Sequence, residues 1–129
     1  MAFYIAAILV SLVAILGMHA TSVSSVHDWY NQFWWLDIFM HFVGGAWVAC
    51  LLILSAPRAG FLYIVCSTIF VGVFWEALEY IFNVPFFGVM EASFADSLWI
   101  LDTMTDIALA VVAATIVAIF HRVYTKHNV

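Results

Sequence analysis

Four long apolar runs dominate the chain, and short polar segments separate them. Each run covers the roughly 20 residues that a helix needs to cross the hydrocarbon core of a bilayer. The runs predict helices at about 2–21, 36–56, 60–82 and 98–122. We therefore expect an all-α fold: a polytopic membrane protein built as a four-transmembrane-helix bundle with short loops, in which residues 1–129 form a single membrane domain.

The first apolar run has some features of a secretory signal peptide, because it is followed by small residues. It lacks a basic segment at its start, however, and it is longer than the apolar part of a typical signal peptide. The run therefore predicts a helix that is retained in the mature protein.

The polar breaks between the runs have the composition of membrane-protein connections. The segment SAPRAG at 55–60 predicts a tight turn, so that the second and third helices form an antiparallel hairpin. The segment HDWYNQFWW at 27–35 is rich in the aromatic residues that favour the lipid headgroup region. The segment at 83–97 contains proline, glycine and acidic residues, and it predicts an interfacial loop.

Composition supports the membrane assignment. Hydrophobic residues make up 67 % of the chain and charged residues only 9 %, with a mean hydropathy of +1.14. Soluble domains carry about 25 % charged residues. Three basic residues are too few for a phosphate-binding face on nucleic acid. The expected partner is the lipid bilayer, with no nucleic acid, and a homo-oligomer or a partner membrane subunit is also compatible with the sequence.

The basic residues indicate an orientation. Arg58 lies in the second connection, and Arg122 and Lys126 follow the last apolar run. With four spans, these positions and the N-terminus lie on one side of the membrane. Because basic residues accumulate on the cytoplasmic side, we expect a multi-pass protein of the bacterial cytoplasmic (inner) membrane with both termini in the cytoplasm.

Six ionisable side chains fall inside the last three predicted helices, in pairs three or four residues apart. They are Asp37 and His41, Glu76 and Glu79, and Asp102 and Asp106. This spacing places each pair on one helical face. Because successive helices are antiparallel, all three pairs reach a similar depth near the non-cytoplasmic surface. The pattern predicts that they meet in one pocket.

A carboxylate in the bilayer is costly, about 3 kcal/mol at the centre on insertion scales. A single aspartate near a helix end is often only a capping residue, but six groups at one level need a common explanation. Two explanations stay open: the acids share protons, or they bind cations. As an oxygen-rich set with one imidazole, the six side chains are predicted ligands of a divalent metal ion, namely Mg²⁺, Ca²⁺, Mn²⁺, iron or Zn²⁺. The sequence identifies no catalytic residue.

Small and hydroxylated residues lie close to these pairs. Gly44, Gly45 and Gly72 allow another helix to approach closely, and ordinary helix packing explains them. Thr103 and Thr105 could support the acids with hydroxyl groups, but hydrogen bonds to the backbone of their own helix are the expectation.

The remaining histidines lie at the ends of the predicted helices or beyond them. His19 and His27 could reach the mouth of the pocket, whereas His121 and His127 are expected to be solvated in the tail. A haem held by two histidines would need a second imidazole at the depth of His41, so no haem or other organic cofactor is expected.

Three motifs occur in order along the chain. They are D-x-x-x-H-F-x-x-G (Asp37, His41, Phe42, Gly45), E-x-x-E-aromatic (Glu76, Glu79, Tyr80) and D-T-x-x-D-hydrophobic (Asp102, Thr103, Asp106, Ile107). They resemble motifs of the YjdF-like family of uncharacterised bacterial inner-membrane proteins, and they are more distantly similar to VanZ-like proteins, some of which are linked to glycopeptide resistance. The likeness covers about two thirds of the chain, which is shorter than those proteins and lacks the Gln and Gly-Asp elements of their last motif. It implies an integral membrane protein with an acidic site and no particular reaction.

Three hypotheses about function follow. The first is a membrane protein that binds a divalent cation and, in a stronger form, acts on a lipid or lipid-linked substrate. The second is translocation of protons or ions through the same acids. The third is a small accessory subunit of a larger membrane complex, in which the acids pair with basic residues of a partner.

Overall fold

A computed structural model describes Val13 and residues 33–86 and 97–127 of the chain. The two continuous ranges form three α-helices: α1 (Trp34–Ser55), α2 (Phe61–Phe86) and α3 (Ser97–His127). No strand occurs in these two ranges. The architecture is all-α, as the apolar runs predict.

The prediction of a four-transmembrane-helix bundle is wrong. Across the described ranges, three helices are long and apolar enough to cross a membrane: Trp35–Ser55, Phe61–Glu79 and Ile100–Lys126. The helix predicted at about 2–21 lies outside the described residues, apart from Val13. That prediction rested on the length of an apolar run, which is a requirement for a spanning helix but does not specify how the run packs.

A tight turn at residues 56–60 joins α1 to α2. Helix α1 ends at Ser55, whose hydroxyl donates a hydrogen bond to the carbonyl of Leu51. The backbone N–H of Ala56 donates to Leu52 at 2.8 Å, and that of Ala59 donates to Ala56 at 2.8 Å. These bonds satisfy carbonyl groups that the end of a helix would otherwise leave unpaired. The two helices can therefore form an antiparallel hairpin.

Helix α2 is longer than its apolar run. It continues to Phe86, through Pro85, into the segment that the sequence assigned to an interfacial loop. Pro85 lacks a backbone N–H and so removes one helical hydrogen bond, and the helix ends one residue later, at Phe86. The backbone of α3 begins at Ser97.

Helix α3 packs against both other helices, and most extensively against α1. A close approach joins Gly45 of α1 to the backbone of Ala110 of α3: a Cβ atom at position 45 would overlap the carbonyl oxygen, Cα and carbonyl carbon of Ala110. A Cβ atom at Gly44 would meet nothing within 4 Å. Gly45 therefore lets two helix backbones touch, as small residues do in membrane proteins.

Small side chains fill the core on the turn side of this contact. Ala49, Ala114 and Ala118 are buried together with the larger Ile64. Thr68 is also buried, and its hydroxyl donates to the carbonyl of Ile64 at 2.9 Å. Because alanine adds little width, the three helices can lie close together over several turns.

The outer surface of the bundle is apolar. Leu62, Phe70 and Phe120 are each more than 70 % exposed, whereas Glu76 and Asp106 are only 8 % and 5 % exposed. In soluble proteins, large apolar side chains are usually inside and carboxylates are usually outside. The reversed arrangement fits a lipid bilayer around the helices.

Candidate metal centre

Acidic side chains from all three helices meet at the end of the bundle away from the α1–α2 turn. Asp37 and His41 lie in the first turns of α1, and Asp106 lies early in α3. Glu76 and Glu79 lie in the later part of α2. Because α2 runs opposite to its neighbours, its later part is at the level of their first turns. We call this group of five side chains the acidic cluster.

His41 lies at the centre of the acidic cluster. Its Nε2 atom is 3.4 Å from Oδ1 of Asp37 and 3.7 Å from Oδ2 of Asp106, while its Nδ1 atom is 3.8 Å from Oε1 of Glu76. These separations are within ion-pair range and longer than a good hydrogen bond. The Nε2 side of the imidazole thus faces carboxylates of α1 and α3, and the Nδ1 side faces a carboxylate of α2.

Thr103 contacts the acidic cluster through Glu76. Its hydroxyl donates to Oε2 of Glu76 at 3.0 Å, so that the other carboxylate oxygen is the one near His41. Thr105 instead donates to the backbone carbonyl of Leu101 at 2.8 Å. The expectation of backbone bonding was therefore right for Thr105 and wrong for Thr103. Residue type alone could not separate them, because the difference depends on the rotation of α3.

Two groups of side chains in the acidic cluster have the geometry of a metal site. In each group, one ligand atom per residue lies within 4.8 Å of the others, and both groups include His41: the first adds Asp37 and Asp106, and the second adds Glu76 and Glu79. Two ligands that each lie 2.0–2.6 Å from one ion are at most about 4–5 Å apart. The separation of 4.8 Å or less is therefore compatible with a shared ion in either group.

Asp102 is the one predicted ligand that belongs to neither group. The structure brings five of the six predicted ligands together and leaves Asp102 exposed, one turn before Asp106. Asp37 is also partly open, with 34 % of its side chain exposed. The acidic cluster is therefore accessible from outside the bundle on the side of Asp37 and Asp102. That these residues bind a metal stays a prediction.

The charges of the acidic cluster are not balanced by basic residues. It contains four carboxylates and one imidazole. The only lysine and arginine residues of the chain are Arg58, Arg122 and Lys126, and they lie toward the opposite end. With every group ionised and His41 protonated, four negative charges and one positive charge leave a net charge of about −3 in a region of low dielectric constant. A bound divalent cation would remove most of that imbalance.

Of the other histidines, His121 was expected to be solvated in the tail, and the structure shows a contact instead. His121 is half-buried, and its Nε2 atom lies 3.4 Å from the carbonyl oxygen of Pro57 at the α1–α2 turn. It is therefore not simply a solvated residue of the tail. His19 and His27 lie outside the described residues, so their predicted approach to the pocket is not tested.

Comparison with known proteins gives one match. A family model described as "Predicted membrane protein (DUF2238)" matches residues 1–127. No curated protein and no solved structure matches the chain. The match confirms the membrane-protein class that the three motifs imply, but at a coarser level than the YjdF-like or VanZ-like families. The chain belongs to the DUF2238 family of predicted membrane proteins.

Proposed function

We propose that this membrane protein binds a divalent cation in the acidic cluster. The observation that carries the proposal is that His41 belongs to both ligand groups. It thereby links carboxylates from all three helices. Residues far apart in the sequence are held together inside an apolar bundle, where unpaired charges are expensive. A cation supplies the favourable interaction that the basic residues of the chain do not supply there.

The chemistry of the side chains limits the choice of ion. Carboxylates alone suit Mg²⁺, Ca²⁺ and Mn²⁺, whereas an imidazole ligand suits iron and Zn²⁺. A site that uses His41 together with Asp106 or Glu76 has one nitrogen and several oxygens. Mn²⁺ and iron accept both ligand types, so we place them first and keep Mg²⁺, Ca²⁺ and Zn²⁺ as alternatives.

Metal analysis and thermal unfolding test the proposal together. The full chain is purified in detergent without a chelator, its metal content is measured, and its melting temperature is followed as Mn²⁺, Fe²⁺ (without oxygen), Mg²⁺, Ca²⁺ or Zn²⁺ is added. An ion at about 100 times its dissociation constant stabilises the folded state by about 2.7 kcal/mol, and the melting temperature rises accordingly. Glu76→Gln should lose most of this shift. A metal-free protein whose melting temperature no added ion changes would rule the proposal out.

A second proposal, an activity on a lipid or lipid-linked substrate, has support from Asp102. This exposed carboxylate lies one turn from the buried Asp106 and outside both ligand groups. A bound cation would polarise a phosphoryl oxygen, and Asp102 would accept a proton from a water molecule as its oxygen bonds to phosphorus. The bond between phosphorus and the headgroup oxygen would break, and the proton would pass to the departing headgroup alcohol. Release of a radiolabelled headgroup from proteoliposomes tests this; the release should depend on the added cation and fall in Asp102→Asn.

Translocation across the membrane has less support. Helix α1 carries no Asp or Glu after His41, and α2 carries none before Glu76. A relay from one surface to the other would need such groups in the other half of the bundle. Ion flux into liposomes that Glu79→Gln abolishes would favour translocation. A stoichiometric partner retained in mild detergent would instead favour an accessory subunit.

We also propose an orientation in which the α1–α2 turn faces the cytoplasm of a bacterial cell, with the protein in the inner membrane. Arg58, Arg122 and Lys126 support this orientation through the positive-inside bias. A fluorescent reporter fused after α3 should then be active in the cytoplasm, and a periplasmic phosphatase at the same place should be inactive. The resemblance to YjdF-like and VanZ-like proteins is compatible with this location. It implies no particular reaction.

A further inference from the structure

The basic residues of the chain lie together, although they come from distant parts of the sequence. Arg58 is in the α1–α2 turn, while Arg122 and Lys126 are in the last turns of α3. All three side chains are exposed, and they are the only lysine and arginine residues in the protein. We call these three residues the basic surface.

A contact between His121 and Pro57 brings the basic surface together. The imidazole Nε2 of His121 lies 3.4 Å from the carbonyl oxygen of Pro57, across 64 positions of sequence. Arg122 and Arg58 are the next residues after these two partners. The same contact between α3 and the turn therefore places the chain positions of Arg58 and Arg122 at one end of the bundle.

Helical spacing adds the third positive charge. Lys126 follows Arg122 by four residues, so the two side chains lie on neighbouring positions of one helical face. Tyr63 and Tyr124 are exposed in the first turn of α2 and the last turns of α3. Exposed tyrosines are typical of the level at which lipid headgroups meet water. With these tyrosines at the headgroup level, the basic surface would lie near the phospholipid phosphates.

We propose that the basic surface binds the headgroup of an anionic phospholipid in the leaflet at this end of the bundle. Guanidinium groups form paired hydrogen bonds with phosphate oxygens, which a lysine ammonium reinforces as a point charge. Each basic residue close to an anionic membrane strengthens binding by about fivefold. This inference does not depend on cation binding at the acidic cluster, which lies at the other end.

Native mass spectrometry tests the proposal on the full chain. The protein is equilibrated in mixed micelles that contain equal amounts of phosphatidylglycerol and phosphatidylcholine, and the complexes with one retained lipid are compared. The wild-type protein should retain phosphatidylglycerol at least about fivefold more often than phosphatidylcholine. The variant with Arg58→Gln, Arg122→Gln and Lys126→Gln should retain both lipids about equally.

Two control variants separate charge from other effects. Arg122→Lys keeps the charge and should keep most of the preference. Thr125→Ala changes an exposed residue at the same end, whose hydroxyl donates to the helix carbonyls of His121 and Arg122 at 3.0 and 3.1 Å. It should leave the preference unchanged. Because all three basic side chains are exposed, circular dichroism should show the same helix content in every variant.

Competition experiments decide whether the ligand is a lipid or a free phosphate ion. Inorganic phosphate and sodium chloride at equal ionic strength should reduce phosphatidylglycerol retention to the same extent. A much larger effect of inorganic phosphate would assign the basic surface to a soluble anion and overturn the proposal. Equal retention of the two lipids by the wild-type protein, or an unchanged preference in the triple variant, would overturn it as well.

Discussion

The two halves of the bundle are held together by different kinds of interaction. Near the α1–α2 turn, the buried residues are Ala49, Ala114, Ala118 and Ile64, and close packing is sufficient to explain their contacts. At the other end, the helices meet through the acidic cluster together with the buried Leu36 and Met40, and the carboxylates of the cluster repel one another. Apolar packing therefore accounts for the first half, whereas for the second half we propose the added positive charge of a bound cation.

One contact lies between the two halves and connects them. Gly45 follows His41 by four residues, and Ala110 follows Asp106 by four residues. The backbone contact between Gly45 and Ala110 is therefore one helical turn from the pair formed by His41 and Asp106. Apolar packing in the first half thus determines how close the charged groups of the second half lie.

The largest effect should come from adding a methyl group at this contact. In Gly45→Ala, the new Cβ atom would overlap the backbone of Ala110, and a backbone cannot move aside by changing a rotamer. Helices α1 and α3 must separate, with a loss of roughly 1–3 kcal/mol in the free energy of unfolding. The cation-dependent rise in melting temperature should disappear too, because His41 moves away from Asp106. Reversible unfolding in detergent with and without Mn²⁺ measures both effects.

Gly44→Ala is the matched control, since nothing lies within 4 Å of a Cβ atom there. Its free energy of unfolding should not fall and should rise by up to about 1 kcal/mol, because alanine favours the helix over glycine. Equal behaviour of the two variants would show that the helix contact does not position the acidic cluster.

The next largest effect should distinguish two aspartates of α3 that are one turn apart. Asp106 is buried in the acidic cluster, and Asp102 is exposed beside it. Asp106→Asn removes a charge next to the cation in a region of low dielectric constant, so cation affinity should fall at least about 100-fold. Asp102→Asn should reduce it only a few-fold, because water screens an exposed charge. Titration calorimetry in detergent gives both dissociation constants, and a similar loss in both variants would contradict the ligand assignment.

A smaller effect should come from Thr103, whose hydroxyl fixes one oxygen of Glu76. Removing a hydrogen-bond partner of a metal ligand typically weakens metal binding 10-fold or more, so Thr103→Val should cost about tenfold in affinity. Thr103→Ser keeps the hydroxyl and should restore most of the binding. Thr105→Val removes a hydroxyl that bonds to Leu101 and should have little effect. Unchanged affinity in Thr103→Val would mean that this hydrogen bond does not orient Glu76 for the ion.

The smallest effect is expected for Gly72→Ala. A Cβ atom at position 72 would lie 3.7 Å from Cγ1 of Ile107, which is ordinary van der Waals contact. Alanine also favours the helix over glycine, so stability should rise by up to about 1 kcal/mol. Thermal unfolding measures the change. A clear loss of stability would indicate that α2 and α3 approach as closely as α1 and α3 do.

The sequence predicted the helices better than it predicted their number in the bundle. Apolar length identified the runs that became α1, α2 and α3, because a bilayer requires about 20 residues from each spanning helix. The same criterion also selected residues 2–21, and it contains no information about packing partners. The four-helix bundle was therefore the part of the fold prediction that failed.

Within the acidic cluster, spacing identified the shared helical faces but not how deeply each residue is buried. Asp102 and Asp106 share a face of α3, yet Asp106 is buried whereas Asp102, one turn before it, is exposed. The burial of each position depends on contacts with the other helices, which are long-range features. For the same reason, the sequence could not show that Thr103, and not Thr105, contacts Glu76.

The unequal packing of the three helices has a mechanical consequence. Helices α1 and α3 form a tightly joined pair that carries Asp37, His41 and Asp106, while α2 has much less contact with α1. A tilt of α2 about its short turn would withdraw Glu76 and Glu79 and leave the other three side chains in place. Such a tilt, with the turn at residues 56–60 as the pivot, would open the acidic cluster on the α2 side, in addition to the side on which Asp37 is already partly exposed.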